Sequence, residues 1–255
     1  MTYQAREAGL KEVEQLVHEQ AVYQYLQENN EGGQMDKDQM LFLHEAISGS
    51  DLTDASAYRV VSATLYMILA HDTHEKIDEP GDVVKLTRKE QELTVLAGDF
   101  YSALYYRTLA ELEMIPLLRA LQSGVQETNT AKTNIYQLHV ATDEEYLSQL
   151  TLTNAAIFAK FAKYFMKDET FIALGCQFFL LKRLQTELAT YKEIGASRLK
   201  RAFDHGYFAK EAVSNFESWL VAIIRDVKSE VERLKTEAEP LSNLLEKRII
   251  EVIND

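Results

Sequence analysis

The chain is poor in residues that break or staple a backbone. Its 255 residues include three prolines (Pro80, Pro116, Pro240), ten glycines and one cysteine, Cys176. A single cysteine excludes an internal disulfide and suits a reducing compartment. So few prolines and glycines argue against many short strands joined by tight turns, and for long helices. No apolar run is long enough to span a bilayer. The charged opening MTYQAREAGLKEVEQ lacks the apolar region of a signal peptide. Positive charge is scarce as well: 27 Lys and Arg face 40 Asp and Glu, a formal net charge of −13. That argues against nucleic acid as the main partner, because phosphate backbones recruit cationic surfaces. The expectation is a cytoplasmic protein with no integral membrane segment. A membrane-peripheral position stays open, although no strong basic amphipathic anchor is visible.

Hydrophobic residues make up 46% of the chain, enough for a substantial core. There is no fixed-period repeat, which favours one bundle over a solenoid. The pattern predicts a single all-α domain over residues 1–255, with about eight to ten helices and a peripheral N-terminal helix region over roughly residues 1–30. A first helix runs from Tyr3 to about Glu28, and ENNEGGQMD breaks it. A second covers Lys37 to Ile47. Asp54 is placed to cap the third, which is apolar on most sides and therefore reads as buried. DEPGDV stops it. Thr87 and Glu90 have capping-box spacing at the head of the fourth, and Pro116 kinks or ends that helix. SGVQETNT reads as a loop. Helices then follow over about residues 143–167, 170–192 and 208–234, the last with a seam of Leu220, Ile224, Val227, Val231 and Leu234. Pro240 opens a final one.

Three stretches carry potential chemistry. LAHDTHEKIDEP offers His71, Asp72, His74, Glu75 and Asp78 within a short span. On a helix His71 and His74 share a face, and imidazoles with carboxylates suit a transition metal. A polar helix end emerging into solvent would look the same. VLAGDFYSALYYRTLAE sets Gly98 inside a helix, where glycine costs about 1 kcal/mol relative to alanine. A close helix crossing accounts for it, with Asp99 facing something polar. FIALGCQFFLLKRLQTEL is apolar until Lys182 and Arg183, with Gly175 again permitting close packing.

Taken in order, these stretches resemble the trans-isoprenyl diphosphate synthase family. There a buried helix ends in HDDxxD, an Arg-Arg-Gly loop and an LAGDY helix follow, and LGxxFQxxDDxxD comes much later. Here the first motif becomes His71-Asp72-Thr73-His74-Glu75-Lys76, with one aspartate retained and lysine at its last position. The arginine loop is reduced to DEPGD. LAGDF is kept as Leu96 to Phe100. In the second motif Leu174, Gly175 and Phe178 fit, but Lys182 and Arg183 occupy the paired-aspartate positions and Thr186 the third. The whole pattern is similar to component I, the small subunit of bacterial two-component heptaprenyl diphosphate synthases.

This resemblance implies a division of labour. The family stabilises the departing diphosphate with magnesium held by both aspartate motifs. Cations at 76, 182 and 183 repel such an ion, so this chain is expected to bind no cofactor and to be inactive alone. Mg2+ is expected in a catalytic subunit, component II, that forms a heterodimer with this one. The pair would elongate farnesyl diphosphate with isopentenyl diphosphate to all-trans-heptaprenyl diphosphate, for a menaquinone side chain. His71, Asp72, Lys76, Lys182 and Arg183 would be vestigial motif positions, with no catalytic residue. Tyr66, Met67 and Ile68, just upstream of the first motif, would bear on product length, where the chain would contact the prenyl diphosphate product. Asp99, Tyr101 and Tyr105 are interface candidates. The rival readings are a metal-dependent phosphohydrolase built on His71-Asp72 with a distant His18, His44 or His139, a terpene synthase with relaxed motifs, and a helical scaffold without prenyl chemistry.

Overall fold

The computed structural model describes residues 3–21, 34–78, 86–137, 139–140, 142–204 and 215–255. Among them are ten α-helices and no strand: α1 (Tyr3–Ala21), α2 (Lys37–Ile47), α3 (Asp54–Glu75), α4 (Arg88–Glu111), α5 (Ile115–Tyr136), α6 (Asp143–Tyr164), α7 (Glu169–Ile194), α8 (Arg198–Asp204), α9 (Phe216–Glu237) and α10 (Asn243–Asn254). A 3-10 turn, Lys76–Asp78, extends α3. The expected all-α class holds. The ENNEGG break, most of DEPGDV and the start of the helix expected from residue 208 lie outside the described residues. No helix among the described residues is long and apolar enough to cross a membrane.

Side chains start most of these helices by accepting orphan N–H groups. Asp36 takes the amides of Asp38 and Gln39, Thr142 that of Glu145, Asp168 that of Phe171 and Asn215 that of Ser218. Thr87 and Glu90 form the expected reciprocal capping box. One cap differs: Thr53, not Asp54, caps α3 by accepting from Ser56 N–H, and Asp54 is the first helical residue. α7 ends at Gly195, whose φ of 74° is the left-handed region that glycine enters most cheaply. The long helix ends before Pro116, one of the two outcomes expected there. The chain leaves α4 after Glu111, passes Glu113 at φ 56°, and starts α5 at Ile115. Pro116 thus falls in the first helical turn, where its missing N–H has no partner to lose.

The loop expected over SGVQETNT is the middle of α5. Its Ser, Thr and Asn content favours turns, but packing overrides that preference. A Cβ on Gly124 would lie 3.0 Å from both the Ala156 carbonyl oxygen and the Ile157 Cα, so α5 and α6 meet backbone to backbone.

The chain divides into two compact units, Met1–Leu121 with Ser242–Leu245, and Gln122–Leu241 with Glu246–Asp255. In the first, residues 60–70 of α3 are buried on every side. α1, α2 and α4 pack around this helix. In the second, α7 lies between α6 and α9. Phe158, Phe171, Phe178 and Phe179 form a ring cluster there. Burying each such ring contributes about 1.5–3 kcal/mol. The seam of α9 from Leu220 to Leu234 is buried as its spacing predicts. Its Trp219 donates its indole N–H to Asp143 at 3.2 Å.

Among the described glycines of this unit Gly175 is the most crowded: a Cβ there would lie 2.1 Å from the Phe158 ring. Gly175→Ala should therefore destabilise the protein by about 1–3 kcal/mol through overpacking, read as a lower urea midpoint. An unchanged midpoint would mean that Phe158 moves aside freely.

Candidate functional site

The first remnant occupies the last turn of α3, where that helix leaves the core. Asp72 is exposed, while His71, His74, Glu75 and Lys76 are half-buried. Thr73, at the second aspartate position, points inward with 1% of its surface exposed. Its hydroxyl has no hydrogen-bond partner among the described residues. The His74 ring lies on Gly98 of the LAGDF segment, where a Cβ would come within 2.4 Å of it. The same imidazole sits 3.7 Å, Nε2 to Oδ1, from the carboxylate of exposed Asp99. The close crossing and the polar neighbour expected for Gly98 and Asp99 are thus one contact, with the first motif itself. The Asp78 side chain and the shortened loop after it lie outside the described residues.

Upstream, Tyr66, Met67 and Ile68 are buried. Tyr66 donates its hydroxyl to the Leu16 carbonyl of α1 at 3.1 Å, and burial pushes its ionisation up to about 12. On α4, Tyr101 and Tyr105 are buried in the chain's own core, whereas Val95, Leu96 and Tyr106 are exposed. Helical spacing puts these three, with Asp99 and Ala103, on one outward stripe.

The second remnant lies in the other unit, on α7. Arg183 Nη2 is 2.8 Å from Glu187 Oε1, one turn on, and both side chains are largely buried. The other Glu187 oxygen accepts the backbone N–H of Leu199 at 3.1 Å, tying the start of α8 to α7. Tyr146 is buried beside them. Burial first, then the Glu187 charge, hold its phenol well above its ordinary range, opposed by Arg183 and Arg198. Thr186, at the third aspartate position, turns its hydroxyl back to the Lys182 carbonyl at 2.9 Å. Sequence reasoning did not single out Glu187. Its only signal was the four-residue spacing from Arg183.

Among the described residues, neither remnant brings together the convergent carboxylates that magnesium takes. In the first, the second aspartate position faces inward without ligands. In the second, a guanidinium paired with its own carboxylate replaces an ion held by two carboxylates. Among the described residues no three His, Cys, Asp or Glu side chains are grouped to hold a metal. Three substitutions probe this arrangement. Thr73→Val should stabilise the chain by about 1 kcal/mol, because it removes a buried hydroxyl that gains nothing, and Thr73→Asp should destabilise it. Glu187→Gln should cost about 2–3 kcal/mol, because a largely buried guanidinium loses its counter-charge. Thermal melts at matched pH distinguish these expectations from no change.

Known proteins resemble this chain in both sequence and structure. The family model described as heptaprenyl diphosphate synthase (HEPPP synthase) subunit 1 matches residues 23–236. The chain is 29% identical over 154 residues to heptaprenyl diphosphate synthase component 1 of Geobacillus stearothermophilus, a match spanning 60% of this chain and 67% of that one. Its structure is similar to a decaprenyl diphosphate synthase from Rhodobacter capsulatus, with a TM-score of 0.66 and 13% identity over 98% of this chain and 97% of that one. It is similar also to the heptaprenyl diphosphate synthase from Staphylococcus aureus, with a TM-score of 0.65 and 14% identity over 98% of both chains. At such identities the structural likeness establishes the all-α isoprenyl diphosphate synthase fold and nothing more. With that fold, and with a family match over most of its length, the chain belongs to the heptaprenyl diphosphate synthase subunit 1 family.

Proposed function

We propose that this chain is the non-catalytic, regulatory small subunit of a heterodimeric heptaprenyl diphosphate synthase. Its partner, the catalytic component II, carries the aspartate motifs and the magnesium, and this chain binds no cofactor. The pair elongates farnesyl diphosphate with isopentenyl diphosphate to all-trans-heptaprenyl diphosphate for a menaquinone side chain. It works in the cytoplasm, at the membrane periphery where its lipid product leaves. One observation carries the reading. At the second motif Arg183 is engaged by Glu187, and Glu187 in turn holds the first turn of α8. The basic residue that stands where a metal ligand is needed is built into the packing of the helices, so the site serves structure.

The outward stripe of α4 is the surface we assign to the catalytic partner. Val95, Leu96 and Tyr106 are large apolar side chains exposed together on one helix face, with Asp99 among them. Apolar and aromatic residues of this kind form the centre of protein interfaces. Tyr101 and Tyr105 then support that face from beneath. Tyr66, Met67 and Ile68 set product length by the bulk they add behind the first remnant.

The purified chain, given farnesyl diphosphate, isopentenyl diphosphate and magnesium, should make no product, and adding the catalytic component should restore synthesis. Elongation by the chain alone would sink the proposal. Leu96→Glu and Tyr106→Glu should each weaken the heterodimer about tenfold, near 1.4 kcal/mol, by sedimentation, with the helical content of the chain unchanged. In the reconstituted pair Met67→Phe should shorten the product, and an unaltered product spectrum would remove these three residues from length control.

A further inference from the structure

The N-terminal helix is seated on α2 and α3 by a small cluster that the function above does not use. His44 of α2 is buried, and its ring stacks on Tyr58 of α3 with centroids 6.1 Å apart and planes 17° from parallel. Gly9 of α1 lies directly against both rings. A Cβ there would stand 2.8 Å from His44 Nε2 and 2.9 Å from the Tyr58 hydroxyl. Only a glycine lets α1 approach so closely. Beside this contact Arg6 of α1 pairs with Glu45 of α2. Further along, Val13 and Val17 are buried and Tyr66 of α3 bonds the Leu16 carbonyl. Lys37 adds an ion pair to Glu14 at 2.8 Å.

We propose that α1 is a detachable strap whose seat is released by protonation of His44. The charged and titratable groups facing His44 are Arg6 on α1, Glu45 on α2, and Asp54 with Tyr58 on α3, while Glu12 of α1 faces Tyr58. A protonated imidazole here is a buried cation next to a second cation, Arg6, with its Nε2 against Gly9 of α1. Glu45 and Asp54 favour the charged ring, but burial and Arg6 outweigh them, and the Glu45 carboxylate is already engaged by Arg6. Burial, and then Arg6, accordingly hold the imidazole below its ordinary value of 6.5. The seated form thus binds protons less readily than the released form. Seating is at full strength above about 6.5 and weakens as the pH falls below that value. Release would uncover the apolar seat of Val13 and Val17 and free the Tyr66 hydroxyl, immediately before Met67 and Ile68. The strap therefore links proton concentration to the surroundings of that segment.

Hydrogen exchange on the full chain tests this between about pH 7.5 and about pH 5.5, each rate corrected for the intrinsic effect of pH. The amides of α1 should lose protection as the pH falls while those of α6 and α7 keep theirs, and His44→Gln should abolish the pH dependence. The imidazole resonance of His44, followed by NMR in the unaltered chain, should titrate together with the loss of α1 protection. Protection of α1 that stays constant over this range would overturn the proposal. So would an unchanged pH response in His44→Gln, or, should that variant not fold, a His44 titration that does not coincide with the α1 transition.

Discussion

The first unit depends on one constraint: α3 has no polar side between residues 60 and 70. Such a helix cannot lie on a surface, so it must be enclosed. α1, α2 and α4 provide that enclosure within its unit. The ligand-rich string at its end follows from the same fact. Once α3 clears its neighbours it meets water, and polar residues crowd the last turn and the 3-10 turn beyond. α4 crosses α3 there, with the His74 ring resting on Gly98. A histidine that looks like a ligand in the sequence is a spacer between two helices in the structure.

The second unit handles charge in a different way. Arg183 and Glu187 neutralise one another in a setting with little water. A pair of this kind adds little to stability relative to well-packed apolar residues, and breaking half of it is costly. Its value here lies in geometry, since the carboxylate also fixes where α8 begins. Tyr146 packs against the same charges and stays protonated. A divalent ion would have to displace the guanidinium and orphan the α8 amide together.

Much of the fold was legible because its signals are local. The Thr87–Glu90 box, the bounds of α2 and the seam of α9 each follow from residues within a turn or two of one another. Thr53 and Asp54 are both good caps, and their sequence did not show which of them the helix uses. Elsewhere a distant contact decided the outcome. Ser123 to Thr130 has the composition of a loop, but Gly124 lies on the α6 backbone and holds it helical. The family motifs located both remnants, yet spacing alone could not show which way Thr73 points, nor that Glu187 is the partner of Arg183. α4 is the clearest case. It has apolar residues on two sides, one covered by its own chain and one exposed. Tyr101 and Tyr106 therefore look alike in sequence while one is core and the other surface.

The double duty of Glu187 bears on how such a chain changes over generations. An aspartate restored at 183 alone would face Glu187 one turn away without the guanidinium that now pairs with it, and the two carboxylates would repel each other beside the amide of Leu199. Replacing Glu187 first would remove the ion pair with Arg183 and loosen α8. Each single step back toward a metal-binding motif thus crosses a less stable intermediate, although the endpoint has a known fold. The packing acts as a ratchet: the ion pair of Arg183 and Glu187 is kept by the folding stability of the two helices it joins.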